Sequence, residues 1–170
     1  MPTLIKGGRI VADDWTLAET APDDPALARI IVPVEYATTH PDALLAEGRE
    51  VGVWLPGDAE PDAILPLLPR LALVAIRFPA FNDGRGLSLA VLLRTRCGFR
   101  GELRAIGEVQ EDVLHYMRRC GFDSFQLPDG RNPVVALYAL NSQTEFYQGS
   151  VVDPLPAFRR VARGTTARAM

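Results

Sequence analysis

The sequence is poor in residues that build metal, redox and disulfide sites. Its two cysteines, Cys97 and Cys120, form no CxxC pair and no zinc-type cluster. Of its two histidines, His40 precedes a proline and His115 lies in the middle of a helix-like stretch, and we interpret neither as part of a metal site. We therefore predict no metal site and expect both thiols to be reduced.

Long apolar runs are also missing. No run approaches the roughly 20 residues that span a bilayer, and the opening MPTLIKGGRIVADDW has no basic-then-apolar signal segment. The sequence pI is about 5.4, and no RRM, KH or zinc-finger pattern occurs. We expect a cytoplasmic protein with no membrane and no nucleic-acid partner.

What the chain does have is enough apolar residues for one domain. Of its 170 residues, 48% are hydrophobic and 23% are charged, which is typical of a globular protein. The net charge of −3 is unevenly distributed. Residues 1–60 carry four basic and eleven acidic side chains, whereas residues 77–104 carry six arginines and two acids. The basic block could attract an anion or an acidic partner, or pair with acidic parts of the same molecule.

The pattern of apolar runs predicts an α/β fold. LIKGGRIV indicates a small N-terminal β-hairpin around Gly7 and Gly8, and residues 13–25 indicate a loop or linker. Short apolar runs separated by helix-like stretches then predict repeated βα units with a mainly parallel sheet. The runs lie at 29–34, 51–55, 71–77, 102–106 and 124–127, and one of the helix-like stretches covers 61–71. An open sheet and an incomplete barrel both suit this pattern, and exposed barrel edges would make a homodimer reasonable.

Three segments follow from this organisation. We predict a hairpin and linker over 1–28, an α/β domain over 29–158 and a disordered tail over 159–170. Within the domain, the motif RCGF occurs at 96–99 and again at 119–122. A shift of 23 residues is about one βα unit. We therefore interpret Cys97 and Cys120 as equivalent helix-end packing positions rather than a redox pair.

The candidate site is the segment that follows the third predicted strand. Ligands of parallel α/β folds collect beyond the carboxyl ends of the strands, and here Arg77 precedes the long loop FPAFNDGRGLS. Glycine-rich backbone at a helix start, with Arg77 and Arg85, would suit a small oxyanion, and Asp83 or Ser88 could cap the helix. The alternative is a rigid turn in which Asp83 caps the helix and pairs with Arg85.

The next strand adds further charged candidates. Glu102 and Arg104 alternate on one strand face and are expected to form a buried pair, while Glu108 follows the strand end. Acid–base chemistry by Asp83 or Glu108 stays open, and no catalytic residue is assigned. The candidates for anion binding or partner docking are Arg77, Asp83, Arg85, Ser88, Arg104 and Glu108.

The central stretch resembles a known bacterial family. Its pieces are RFP at 77–79, Phe81, DGR at 83–85, Ser88, LR at 93–94, GELR at 101–104, Gly107 and CGF at 120–122. These residues, strongest over 77–125, are similar to the domain of unknown function numbered 934. Members are commonly labelled probable oxidoreductases of sulfite reduction, and their genes tend to accompany those of the sulfite reductase hemoprotein. The resemblance implies a role in cysteine biosynthesis.

Three functions follow as hypotheses. The first is an accessory protein of assimilatory sulfite reduction that docks on sulfite reductase and binds a small oxyanion. The second is an oxidoreductase or lyase-type enzyme acting on a small anionic substrate at the 77–88 loop. The third is a purely structural or interaction module whose arginines are wholly internal. The chain has no iron–sulfur cysteine framework and no nicotinamide fingerprint. No cofactor is predicted, and a flavin stays open.

Overall fold

Five short apolar runs form the parallel core of the sheet. The computed structural model describes residues 3–20, 27–44, 48–143 and 145–160. Its consecutive parallel strands are β4 (Arg29–Pro33), β5 (Glu50–Pro56), β6 (Leu73–Phe78), β7 (Glu102–Gly107) and β8 (Ser124–Leu127). Each matches one predicted run to within two residues, which confirms the expected βα organisation.

The N-terminal segment adds strands to both edges of this core. The predicted hairpin is confirmed as β1 (Thr3–Lys6) and β2 (Arg9–Val11), and β1 pairs antiparallel with β8. A two-residue strand, β3 (Thr16–Leu17), pairs parallel with β4 at the opposite edge. The strand order is β2-β1-β8-β7-β6-β5-β4-β3.

This order requires the sheet to curl. β2 and β3 lie at opposite edges, yet only residues 12–15 join them. Five Cα steps reach at most about 18 Å, whereas a flat sheet of eight strands would separate its edges by about 34 Å. The sheet is accordingly a curled half-barrel, so the incomplete barrel is the correct member of the two predicted architectures.

Helices cover the convex face of the sheet. They are α1 (Val34–Thr39), α2 (Pro41–Leu44), α3 (Arg85–Thr95), α4 (Leu114–Arg119), α5 (Pro133–Asn141) and α6 (Ala157–Arg160). The side chain of Asn132 caps α5 by accepting from two backbone N–H groups. The helix expected over 61–71 is instead two 3₁₀ turns, Pro61–Ile64 and Leu68–Arg70, because Pro66 and Pro69 remove helix donors.

The convex face carries the main hydrophobic core. Alternate strand residues such as Val53, Ile76 and Phe125 pack there against Leu89 and Leu93 of α3 and the other helices. The RCGF interpretation agrees with this arrangement, because both cysteine side chains are free thiols that pack in this core. Gly98 and Gly121 both have positive φ, as helix-ending glycines do.

The concave face is covered by the N-terminal segment rather than by helices. Residues 13–19, which we call the strap, cross this face between β2 and β4. Trp15 and Leu17 of the strap pack against a small apolar cluster that includes Ile31, Leu73 and Ala75. The first part of the stretch expected as loop or linker therefore fills the half-barrel. Residues 21–25 of that stretch and 161–170 of the expected tail lie outside the described residues.

Candidate functional site

The loop at the end of β6 is held by one arginine and two carboxylates. Asp83 Oδ1 accepts from the backbone N–H of Arg85 at 3.1 Å, and Asp83 Oδ2 accepts from Arg85 Nη2 at 2.7 Å. Arg85 Nη1 donates to Asp58 Oδ2 of the β5 loop at 2.7 Å. The guanidinium therefore ties together the loops that follow β5 and β6.

These bonds determine the ionisation of Asp83. The side-chain and backbone hydrogen bonds from Arg85 lower the pKa of the Asp83 carboxyl to about 2, and Asp83 together with Asp58 raises the pKa of Arg85. Asp83 is consequently ionised at neutral pH and holds no proton to donate. The rigid-turn alternative describes these contacts well, except that Asp83 accepts from the first helical N–H instead of capping at N2 or N3.

Arg77, near the end of β6, binds a carboxylate on the concave side of the sheet. Its two terminal nitrogens donate to the Glu19 carboxylate at 2.8 and 2.7 Å, a bidentate pair. Its guanidinium lies 4.0 Å from the centroid of the Trp54 ring. The hydrogen bond from Arg77 lowers the pKa of Glu19. A strap carboxylate thus binds Arg77 where the sequence suggested an external anion.

Arg104 is the centre of a buried ion network. It is 1% exposed, and its Nη1 donates to both carboxylate oxygens of Asp13 at 3.0 and 2.9 Å. Its Nε donates to Glu102 Oε1 at 2.9 Å, so the expected Glu102–Arg104 pair is confirmed. Glu102 also accepts from Lys6 and from Ser124. Burial alone would raise the pKa of Glu102, but these hydrogen bonds and the Arg104 charge outweigh it and lower the pKa.

Two candidates remain without a side-chain partner among the described residues. Ser88 is exposed on α3, and its hydroxyl makes no hydrogen bond to any of them. Glu108 is exposed beyond β7, where its backbone N–H donates to Phe78 O at 2.8 Å. Glu108 is therefore near Arg77 in the fold, at the neighbouring strand end, but it forms no ion pair with it.

The six candidates thus lie in two regions, the carboxyl ends of the parallel strands and the concave interior of the half-barrel. Asp83, Arg85, Ser88 and Glu108 lie at or beyond the strand ends, while Arg104 faces the concave interior and Arg77 lies where the two regions meet. The sequence analysis missed their partners Asp13, Glu19 and Asp58. Their only sequence signal is the excess of acid in residues 1–60, which matches the excess of arginine in residues 77–104.

Open space lies away from this strand-end region. One groove of about 530 Å³ lies at the amino-terminal ends of the parallel strands, next to Lys6, Arg29 and Glu102. Another of about 650 Å³ separates α3 and α4 from residues 148–156. In the part of the chain that is described, no group of three or more His, Cys, Asp or Glu side chains could hold a metal ion. No helix in that part is long and apolar enough to cross a membrane.

The fold and the site define a class of protein. It is a curled α/β half-barrel whose concave face is filled by its own N-terminal segment and whose strand-end arginines bind internal carboxylates. The family model described as bacterial protein of unknown function (DUF934) matches residues 52–158. That span is well over half of the chain, and the protein belongs to this family. A search of the curated proteins finds no match to the chain.

Proposed function

We propose that the protein is an accessory protein of assimilatory sulfite reduction that docks on the sulfite reductase hemoprotein. The sulfite context rests on the family resemblance described above. Within that context the protein would act through contact with a partner rather than through chemistry at the 77–88 loop.

The observation that carries the docking proposal is the pairing of every candidate arginine. Arg77 binds Glu19, Arg85 binds Asp58 and Asp83, and Arg104 binds Asp13 and Glu102. A small oxyanion would have to displace a carboxylate that belongs to the same chain. These contacts oppose the oxyanion half of the sequence hypothesis, and any docking surface must then be formed by groups other than these three guanidinium groups.

The same contacts weaken the case for acid–base catalysis. A general acid or base works best when its pKa lies near the working pH, and the pKa of Asp83 is held at about 2. Arg85 keeps the carboxylate in a rigid turn, which is what a scaffolding role requires. The exposed apolar side chain of Phe81 is then the feature of this loop that a partner could use.

Affinity co-purification tests this proposal. The tagged protein is isolated from its own cells grown on sulfate as the sole sulfur source, and the hemoprotein is quantified by its heme absorbance. The proposal predicts stoichiometric recovery that is absent when the same tag is carried by an unrelated protein. Recovery of the protein without the hemoprotein would contradict docking and redirect attention to an independent enzyme, for which turnover lost in Asp83→Asn would be the evidence.

A further inference from the structure

Phe81 is presented to solvent by a rigid turn. It is 68% exposed and lies in the 79–84 loop between β6 and α3. The backbone N–H of Asp83 donates to Ala80 O at 3.1 Å, which closes a turn around Phe81. Arg85 fixes the same turn through Asp83 and links it to Asp58. A large aromatic side chain held on a fixed backbone is a typical anchor of protein interfaces, because little conformational freedom is lost on binding.

The loops around Phe81 are acidic. The loops that follow β5, β6, β7 and β8 cover residues 57–60, 79–84, 108–110 and 128–132, and they contain five carboxylates and one arginine. Arg85, the first residue of α3, pairs with two of the five, Asp58 and Asp83. Four of the carboxylates are exposed and follow β5, β7 and β8: Asp58, Glu60, Glu108 and Asp129. We call these four residues with Phe81 the acidic rim.

The loops at the other ends of these strands carry the opposite charge. The described loop residues that precede the same four strands, 48–49, 71–72, 96–101 and 120–123, contain three arginines and one aspartate. Helix-dipole preferences account for part of this arrangement, since acids favour helix N-termini and bases favour C-termini. Glu108 and Asp129 lie three and four residues before the next helical element, and their side chains make no hydrogen bond or ion pair to any described residue.

We propose that the acidic rim is a docking surface for a protein that presents basic residues around an apolar pocket, into which Phe81 inserts. The inference rests on the proposed function for the identity of that protein, the sulfite reductase hemoprotein, and goes beyond it by naming the surface. Charge complementarity selects the partner and speeds its approach, while the aromatic anchor supplies most of the affinity.

The exposed face of α5 is a second apolar surface and serves as the control. Val134, Val135 and Tyr138 are all more than half exposed there. The residue Tyr138 matches Phe81 in size and exposure, at 77%. The acidic rim is favoured because its charge specifies a partner, whereas nothing on the α5 face does so.

The test measures binding of purified full-length protein to the purified hemoprotein by surface plasmon resonance at low and high salt. Phe81→Ala is expected to raise the Kd by about 30-fold, which corresponds to the loss of one interface hot spot. The pair Glu108→Gln with Asp129→Asn is expected to lower the association rate constant at low salt by about three- to tenfold and to flatten its salt dependence. Tyr138→Ala should leave both constants within about twofold of the wild type.

Each other outcome opposes the inference. If the wild type binds and the rim variants bind equally well, the acidic rim is wrong while the proposed function stands. If the wild type does not bind, both are wrong. Rim variants that abolish self-association instead of hemoprotein binding would assign the surface to a second copy of this chain, and would overturn the proposed partner. All variants change exposed side chains, and equal melting temperatures confirm that they fold.

Discussion

The ion network on the concave face allows a quantitative prediction for Asp13→Asn. Asp13 is 13% exposed and accepts two hydrogen bonds from Arg104, which is 1% exposed. Breaking a buried ion pair by removing one partner costs about 3–5 kcal/mol, because the other charge stays buried. Glu102 still pairs with Arg104 in this variant. We therefore expect the lower end, about 3 kcal/mol, which corresponds to a fall of about 6–12 °C in Tm.

The neighbouring Asp14 provides a matched control. It lies next to Asp13 in the same strap and pairs with Arg29, but its side chain is 62% exposed and that of Arg29 is 42% exposed. Exposed pairs contribute at most about 1 kcal/mol. Urea unfolding followed by circular dichroism should therefore give a free energy of unfolding that Asp14→Asn changes by less than about 1 kcal/mol. A loss for Asp13→Asn no larger than for Asp14→Asn would refute the claim that the strap is bound through a buried network.

Two further predictions concern the buried network and the contact between β6 and β7. The pKa of Glu102 is lowered below its ordinary value of 4.5, so its contribution to stability is fully present above pH 4.5 and is lost as the pH falls below it. Urea titrations across acidic pH should show a steeper decline for the wild type than for Glu102→Gln, and parallel curves would contradict the assignment. At Gly107 (φ 87°), an added Cβ would lie 2.4 Å from Phe78 O, whereas at Gly130 (φ 85°) it would meet nothing within 4 Å. Both alanine variants bear the cost of left-handed backbone, about 1–2 kcal/mol, but only Gly107→Ala adds a clash. Gly107→Ala should therefore unfold at a clearly lower urea concentration than Gly130→Ala. Equal midpoints would contradict the close approach of β6 and β7.

The parallel strands could be predicted from the sequence because their signal is local. Each of β4 to β8 is a short apolar run bounded by turn residues, and such runs need no partner to be recognised. The hairpin at Gly7 and Gly8 is equally local. The 3₁₀ turns over 61–70 were missed because the prediction of a helix relied on the apolar spacing alone. Two prolines in this segment remove helix donors, and they break the helix into two turns.

The strap could not be predicted because its structure depends on distant contacts. β3 has only two residues, and its pairing with β4 and its cover of the concave face arise from partners such as Arg77 and Arg104, 58 and 91 residues from Glu19 and Asp13. Charge excess was compatible with an external anion or partner and with pairing inside the molecule, and it did not indicate which side chains would pair. Arg77, Asp83, Arg85 and Glu108 do lie at the strand ends, as their positions after the apolar runs predicted, whereas their pairing within the chain is a three-dimensional property.

Sedimentation velocity of the two purified proteins tests the central claim of docking most directly. The hemoprotein is followed by its heme absorbance, alone and with an equimolar amount of this protein. Docking through Phe81 predicts that the heme boundary moves faster in the mixture and that Phe81→Ala restores the sedimentation rate of the hemoprotein alone. An unchanged heme boundary with the wild-type protein in excess would contradict the account.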